Sequence, residues 1–207
     1  MRSDFRLPRI YPITDVEISG LSHVDQVRML RDAGATLVQL REKKLPALDF
    51  CDEAKAVTEL GLTLIVNDRV DVALASNAAG VHLGQDDLPP DAARKLLGDD
   101  AIIGFSTHNV AQARIAATLP VDYIAIGPIF QTSTKTNPDP EVGLDGIRGV
   151  RDVIGNIPLV AIGGITAANA AAVIDAGADS VALISALLAG GPAGLSDRYR
   201  ALAWNLS

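Results

Sequence analysis

Cysteine is nearly absent: Cys51 is the only one in 207 residues. An internal disulfide is therefore excluded, and an unpaired thiol fits a reducing cytoplasm, the compartment expected for this protein. Aromatic residues are scarce too, at 4% of a chain that is 48% hydrophobic. No apolar run reaches the ~18 residues that a membrane span requires. The opening Met1-Arg2-Ser3-Asp4-Phe5-Arg6 has no signal-peptide core. Positive charge is in deficit: 18 Lys and Arg against 25 Asp and Glu leave a net charge of −7. That balance weighs against nucleic acid or an anionic membrane as the partner. It leaves an anionic substrate open, because salt screens a diffuse surface charge beyond a Debye length of about 8 Å. The three histidines, His23, His82 and His108, include no pair at metal-ligand spacing, so zinc is not expected.

What the chain does have is Ala, Val, Leu, Ile and Gly, the composition of strands buried on both faces beneath helices. Apolar runs at Ile10–Thr14, Leu37–Arg41, Thr63–Val66, Gly80–Leu83, Ile102–Ser106, Tyr123–Ile126, Pro158–Ile162 and Ser180–Leu183 read as eight strands. Helical patterns separate them at His23–Ala33, Leu48–Leu60, Arg69–Ser76, Asp91–Leu97, Val110–Ala117, Leu144–Ile154 and Ala168–Ala176. Gly34, Gly80 and Gly177 stand before strands two, four and eight, where a glycine in the left-handed conformation stops a helix. Eight strands with βα alternation predict a closed (β/α)₈ TIM barrel of parallel strands, α/β in class, as one catalytic domain over residues 1–207. The long irregular stretch Gly127–Gly143 reads as a lid or binding loop.

In such a barrel the C-terminal strand ends converge on one face. Ala161-Ile162-Gly163-Gly164-Ile165 and Val181-Ala182-Leu183-Ile184-Ser185 end in small residues. Glycines let backbone approach a ligand, and a serine opening a helix offers free N–H groups, so the two ends make a phosphate cup. The other ends add Gln39, Arg41 and Lys43, then Asn67 and Asp68, Gln85, Asp86 and Asp87, and Ser106. Thr132, Ser133, Thr134 and Lys135 follow strand six. Cations, carboxylates and hydroxyls beside a separate phosphate cup suit a diphosphate with Mg²⁺. Taken singly, each has a plainer reading. Arg41 and Lys43 could be solvated charges, Asn67, Asp68, Ser106 or Asn109 helix caps, Asp86 and Asp87 turn residues, and Cys51 inert core. Their joint occurrence at successive strand ends favours the site.

The ordered set Gln39-Leu40-Arg41-Glu42-Lys43, Asn67-Asp68, Gly84-Gln85-Asp86-Asp87, Ser106-Thr107-His108, Gly127-Pro128-Ile129-Phe130, Thr132-Ser133-Thr134-Lys135, Gly163-Gly164-Ile165 and Ile184-Ser185 resembles the thiamine-phosphate synthase family. The likeness runs from Tyr11-Pro12-Ile13-Thr14-Asp15 to the last strand. It implies a transferase that joins 4-amino-2-methyl-5-(diphosphooxymethyl)pyrimidine to a thiazole phosphate, or its carboxylated form, and releases diphosphate. By the same resemblance, Gln39, Arg41, Lys43, Asn67, Ser106 and Lys135 hold the pyrimidine diphosphate, with Lys43, Ser106 and Lys135 catalytic. Asp68 and Asp87 bind Mg²⁺. Thr132, Ser133, Thr134, Gly164, Ile184 and Ser185 take the thiazole phosphate. A thiazole tautomerase on the same fold, a sugar-phosphate isomerase or epimerase of another barrel family, and a non-catalytic binder of thiamine intermediates are the alternatives. Neither isomerase needs the Asp68, Asp87 and Lys43 set. His108, near the mouth, is open to an acid–base role, and the helical exterior is compatible with a homo-oligomer without specifying one.

Overall fold

A computed structural model describes residues 5–132 and 139–206. Ser133, Thr134 and Lys135, expected at the site, lie outside the described residues. The strands are β1 (Ile10–Pro12), β2 (Leu37–Leu40), β3 (Thr63–Asn67), β4 (Gly80–Leu83), β5 (Ile102–Thr107), β6 (Tyr123–Ile126), β7 (Leu159–Ile162) and β8 (Ser180–Leu183). All pair in parallel, β2 through β8 in chain order and β8 with β1. The β1–β2 seam is closed by a lone bridge between Ile13 and Gln39. The expected strands are present, each within two residues at either end.

Ten helices fill the connections among the described residues: α1 (Val16–Ser19), α2 (His23–Asp32), α3 (Ala47–Thr58), α4 (Val70–Ala75), α5 (Pro90–Leu97), α6 (Val110–Ala116), α7 (Gly143–Ile154), α8 (Ala170–Asp175), α9 (Ser185–Leu188) and α10 (Leu195–Asn205). None is long and apolar enough to cross a membrane. The short α1 and the terminal α10 are absent from the sequence reading. On α2, Val27 and Leu30 are fully buried while Arg28, Arg31 and Asp32 face water, the amphipathic division expected of a barrel helix.

Side chains alternate across each strand, so odd and even positions meet different partners. Leu40, Val66, Leu83, Ile103, Ile124 and Leu159 pack outward against the helices in the larger core. Tyr11, Ile13, Leu37, Ile65, Ile102, Tyr123, Val160 and Ala182 form a second core inside the barrel, with Phe5 and Leu7 against it. Continuing the inward rows by two residues gives Gln39 after Leu37, Asn67 after Ile65, and Gly104 then Ser106 after Ile102. The fold thus delivers those polar groups to one mouth because their strands place apolar residues beneath them.

The helix-stop expectation needs one correction. Gly34 and Gly177 have φ of +104° and +115°, as expected, but Gly80 does not stop a helix. It is the first residue of β4, and a Cβ there would lie 1.9 Å from the Ile102 carbonyl oxygen. Asn77, at φ +54°, takes the left-handed position after α4 instead.

Candidate active site

The C-terminal mouth opens on a cavity of about 270 Å³. Gln39, Arg41, Lys43, Asn67, Asp68 and Ser106 line one part of it. Thr132, Gly163, Gly164, Ile184 and Ser185 line another, beside the apolar Ile13, Val160 and Ile162. The sequence-predicted set is thus brought together across six strand ends, apart from Gln85, Asp86 and Asp87, which do not line the cavity, and Ser133, Thr134 and Lys135, which lie outside the described residues.

At the anionic end, Asp68 lies beside Asp87, and the Asp68 carboxyl is pushed up to about 6. Burial is the chief cause and the neighbouring Asp87 carboxyl the second, with Lys43 and Arg41 pulling the other way. Asp87 is fixed by the Gly84 N–H, which donates to its Oδ2 at 2.7 Å. Asp68 itself has a φ of +62°, an uncommon backbone state outside glycine that often marks a functional position. The helix-cap reading of Asn67 and Asp68 does not hold, because Arg69 is the N-cap of α4 and no side chain caps it. Ser106 caps nothing either; Asn109 is the cap of α6, accepting from Gln112 N–H. Among the described residues no group of three or more His, Cys, Asp or Glu could hold a metal by itself. Two adjoining carboxylates that repel each other fit a divalent cation that keeps waters or substrate oxygens as its other ligands.

Behind the cations lies a latch that the sequence reading missed. Glu42 Oε1 accepts the N–H groups of Lys43, Lys44 and Leu45 at 2.7, 2.5 and 3.2 Å. Its Oε2 accepts from Nε2 of the fully buried His23 at 3.1 Å, and His23 Nδ1 lies 2.7 Å from Thr14 Oγ1. Arg41 is clamped by Asp15 at 2.6 Å. The segment that carries Arg41 and Lys43 is held from beneath at three points.

At the other end Gly163 and Gly164 have φ of +100° and +65°. A Cβ on Gly163 would lie 2.7 Å from Pro128 Cα, and one on Gly164 would lie 2.5 Å from the Gln131 carbonyl oxygen. Only glycine fits. Ile129 and Phe130 donate their N–H groups to Ile162 and Gly163, so the stretch after β6 continues against β7 before it leaves the mouth. His108 Nδ1 donates to the Gly127 carbonyl at 2.7 Å and lies 3.5 Å from Asp139.

His82 corrects the expectation most. Isolated in sequence, it is bonded in space: Nδ1 to the Tyr123 hydroxyl at 2.9 Å and Nε2 to Ser106 Oγ at 2.8 Å. Burial holds its pKa down, at about 4. The available signal was the alternation along β4, which puts His82, two residues after Gly80, on the inward row.

A closed parallel barrel with paired carboxylates, cations and bare backbone around one mouth defines a phosphate-handling barrel enzyme. A family model described as thiamine monophosphate synthase matches residues 10–187, and the chain belongs to that family of transferases. The chain is 48% identical over 198 residues to the thiamine-phosphate synthase of Koribacter versatilis, covering 91% of this chain and 92% of the relative. It is 46% identical over 187 residues to that of Methanoculleus marisnigri, covering 88% of each. The solved thiamine phosphate pyrophosphorylase from Pyrococcus furiosus superposes with a TM-score of 0.85 at 33% identity, covering 96% of this chain and 95% of that one. Phosphoribosyl anthranilate isomerase from Thermus thermophilus, at 13% identity, shares the fold alone (TM-score 0.63).

Proposed function

We propose that the protein is a thiamine-phosphate synthase that joins 4-amino-2-methyl-5-(diphosphooxymethyl)pyrimidine to a thiazole phosphate and releases diphosphate. The observation that carries this reading is the pairing of Asp68 with Asp87 beside Arg41 and Lys43, across one cavity from the glycine-lined end. One phosphate needs only the second; a diphosphate and a monophosphate together need both. Asp68 and Asp87 would hold Mg²⁺, which when bound supplies neutralising charge to the diphosphate.

The bond that breaks joins the methylene carbon to the diphosphate oxygen, and its electron pair leaves with the diphosphate. Arg41, Lys43 and Lys135 spread that charge. The electron-rich aminopyrimidine carries the positive charge left on the methylene carbon, and the thiazole nitrogen captures it. Gln39, Asn67 and Ser106 orient the pyrimidine, while Thr132, Ser133, Thr134, Gly164, Ile184 and Ser185 seat the thiazole phosphate. No protein nucleophile is required; position and charge suffice.

The test is an assay of purified protein with both substrates, with and without Mg²⁺. Equal amounts of diphosphate and thiamine phosphate are expected with Mg²⁺ only. Isomerisation of the thiazole without diphosphate release would replace this reading with the tautomerase. In single-turnover mixing, Lys135→Ala should slow diphosphate release by about 100-fold or more, the loss typical of removing one charge-stabilising group; an unchanged rate would remove Lys135 from the reaction.

A further inference from the structure

A run of hydrogen bonds crosses the floor of the cavity. Gln39 Nε2 donates to the Tyr11 hydroxyl at 3.1 Å, and the Tyr11 and Tyr123 hydroxyls lie 2.7 Å apart. Tyr123 meets His82 Nδ1 at 2.9 Å, and His82 Nε2 meets Ser106 Oγ at 2.8 Å. Gln39, Tyr11, His82 and Ser106 all line the cavity, and Tyr123 is fully buried beneath it.

Each link has a direction, and the directions are coupled. An amide nitrogen can only donate, which leaves the Tyr11 proton free for the Tyr123 oxygen 2.7 Å away, the direction taken here. The Tyr123 proton then goes to His82 Nδ1. A neutral imidazole that accepts at Nδ1 carries its proton on Nε2 and donates it to Ser106 Oγ. Ser106, its oxygen already engaged, has its own proton to give to the cavity. At the opposite end the Gln39 amide has its carbonyl oxygen with which to accept. The floor therefore offers one acceptor and one donor, fixed by a run whose middle members are buried.

The seat is built for this. Tyr123 packs over Gly104, where a Cβ would lie 2.3 Å from its hydroxyl and 2.0 Å from its Cζ. His82 stacks on the Tyr123 ring at a centroid distance of 5.5 Å. Burial keeps His82 neutral and raises both tyrosine hydroxyls above their ordinary range, so all three remain in the protonation states the run requires.

We propose that His82 and Tyr123 are positioning residues that fix the polarity of the cavity floor, so that the site takes a heteroaromatic ring with an amino group beside a ring nitrogen and rejects its oxo counterpart. An amino group donates to Gln39 while the adjacent ring nitrogen accepts from Ser106. An oxo ring presents an acceptor and an N–H donor in the same places, reversed, and leaves buried polar groups unpaired on both sides. The inference rests on the reading that the pyrimidine half binds here and adds the residues that select it.

Nitrogen-15 NMR of the protein alone, with labelled histidine, reads the tautomer directly. The Nε2–H form of His82 is expected; the Nδ1–H form would reverse every link and overturn the proposal while leaving the synthase reading intact. Tyr123→Phe removes the hydroxyl that donates to Nδ1 and keeps the ring. In that variant the fixed tautomer should be lost. Its preference for the 4-amino over the 4-oxo pyrimidine diphosphate, measured as a ratio of kcat/KM, should fall at least about tenfold, with the KM for thiazole phosphate unchanged. An unaltered ratio would overturn the proposal. A wild-type protein that forms no thiamine phosphate would instead overturn the synthase reading on which it rests.

Discussion

Asp68 is the residue at which fold and proposed chemistry oppose each other. Its carboxyl is half-buried beside Asp87, and its pKa is raised from 3.8 to about 6. The folded protein thus binds this proton more tightly than the unfolded chain does. The pair therefore favours the fold below pH 4 and loses that contribution as pH rises through 6, so at neutral pH it is a cost. Asp68→Asn should stabilise the metal-free protein at pH 7.5 by about 1–2 kcal/mol, a figure reduced for solvent screening at the open mouth. The gain should vanish at pH 4, where wild-type Asp68 is already protonated. Urea denaturation at the two pH values reads both numbers. A gain that persisted at pH 4 would trace to something other than the charge. The same proton competes with a cation, so Mg²⁺ affinity of the wild type should weaken as pH falls below 6.

At the scale of elements the barrel uses one device twice. Arg94 of α5 donates to the carbonyls of Gly98 and Ala101 and to Asp122, 28 residues on, whose carboxylate accepts Ile103 N–H at 2.8 Å. Arg151 of α7 likewise reaches the carbonyls of Gly155 and Ile157 and Asp179, again 28 residues on, whose carboxylate accepts Leu159 N–H at 2.8 Å. Each staple ties the end of a helix to the start of the next two strands. Asp122 is 3% exposed and Asp179 51%, so the same truncation should differ in cost. Asp122→Ala removes a buried carboxylate from a guanidinium that is itself only partly exposed and should lose about 3 kcal/mol, and Asp179→Ala about 1 kcal/mol or less, by chemical denaturation. Equal losses would mean that burial does not set the difference. No sequence pattern exposes such a staple, because its partners are joined by the fold and not by a period. The strands were legible because buried parallel strands are continuous apolar runs. Gln39, Asn67 and Ser106 were legible because each ends an inward-facing apolar row. His82 and Tyr123 were less so: alternation along β4 puts His82 on the inward row, but no sequence pattern links it to Tyr123 and Ser106, the partners the fold gives it. The helix α1 spans four residues, too few for periodicity, whereas the Leu195, Tyr199 and Leu202 spacing of α10 carries a readable signal.

For the molecule as a whole, the decisive place is where the cylinder closes. Seven of the eight strand junctions are continuous ladders, but among the described residues the backbones of β1 and β2 meet only at the Ile13–Gln39 bridge and through Thr14 N–H to the Gln39 carbonyl at 2.9 Å. Side chains reinforce the seam: Thr14 Oγ1 accepts Arg41 N–H at 3.3 Å, and Asp15 clamps the Arg41 guanidinium. Gln39 and Arg41 are also proposed contacts of the pyrimidine diphosphate, so ligand and seam share the same side chains. Binding should therefore brace the weakest junction. Inorganic diphosphate with Mg²⁺, at about 100 times its Kd, should stabilise the protein by about 2.7 kcal/mol, which for a chain of this size is a rise in Tm of about 5–10 °C. Hydrogen exchange locates the effect. The Thr14 and Arg41 amides should slow first, ahead of Ile103 on β5, whose N–H is bonded to Asp122 away from the seam. Asp68→Asn should abolish the Mg²⁺-dependent part of the rise. A uniform slowing of all amides would mean that the ligand stabilises the barrel without acting through the seam. An equal rise without Mg²⁺ would mean that the carboxylate pair does not hold the cation.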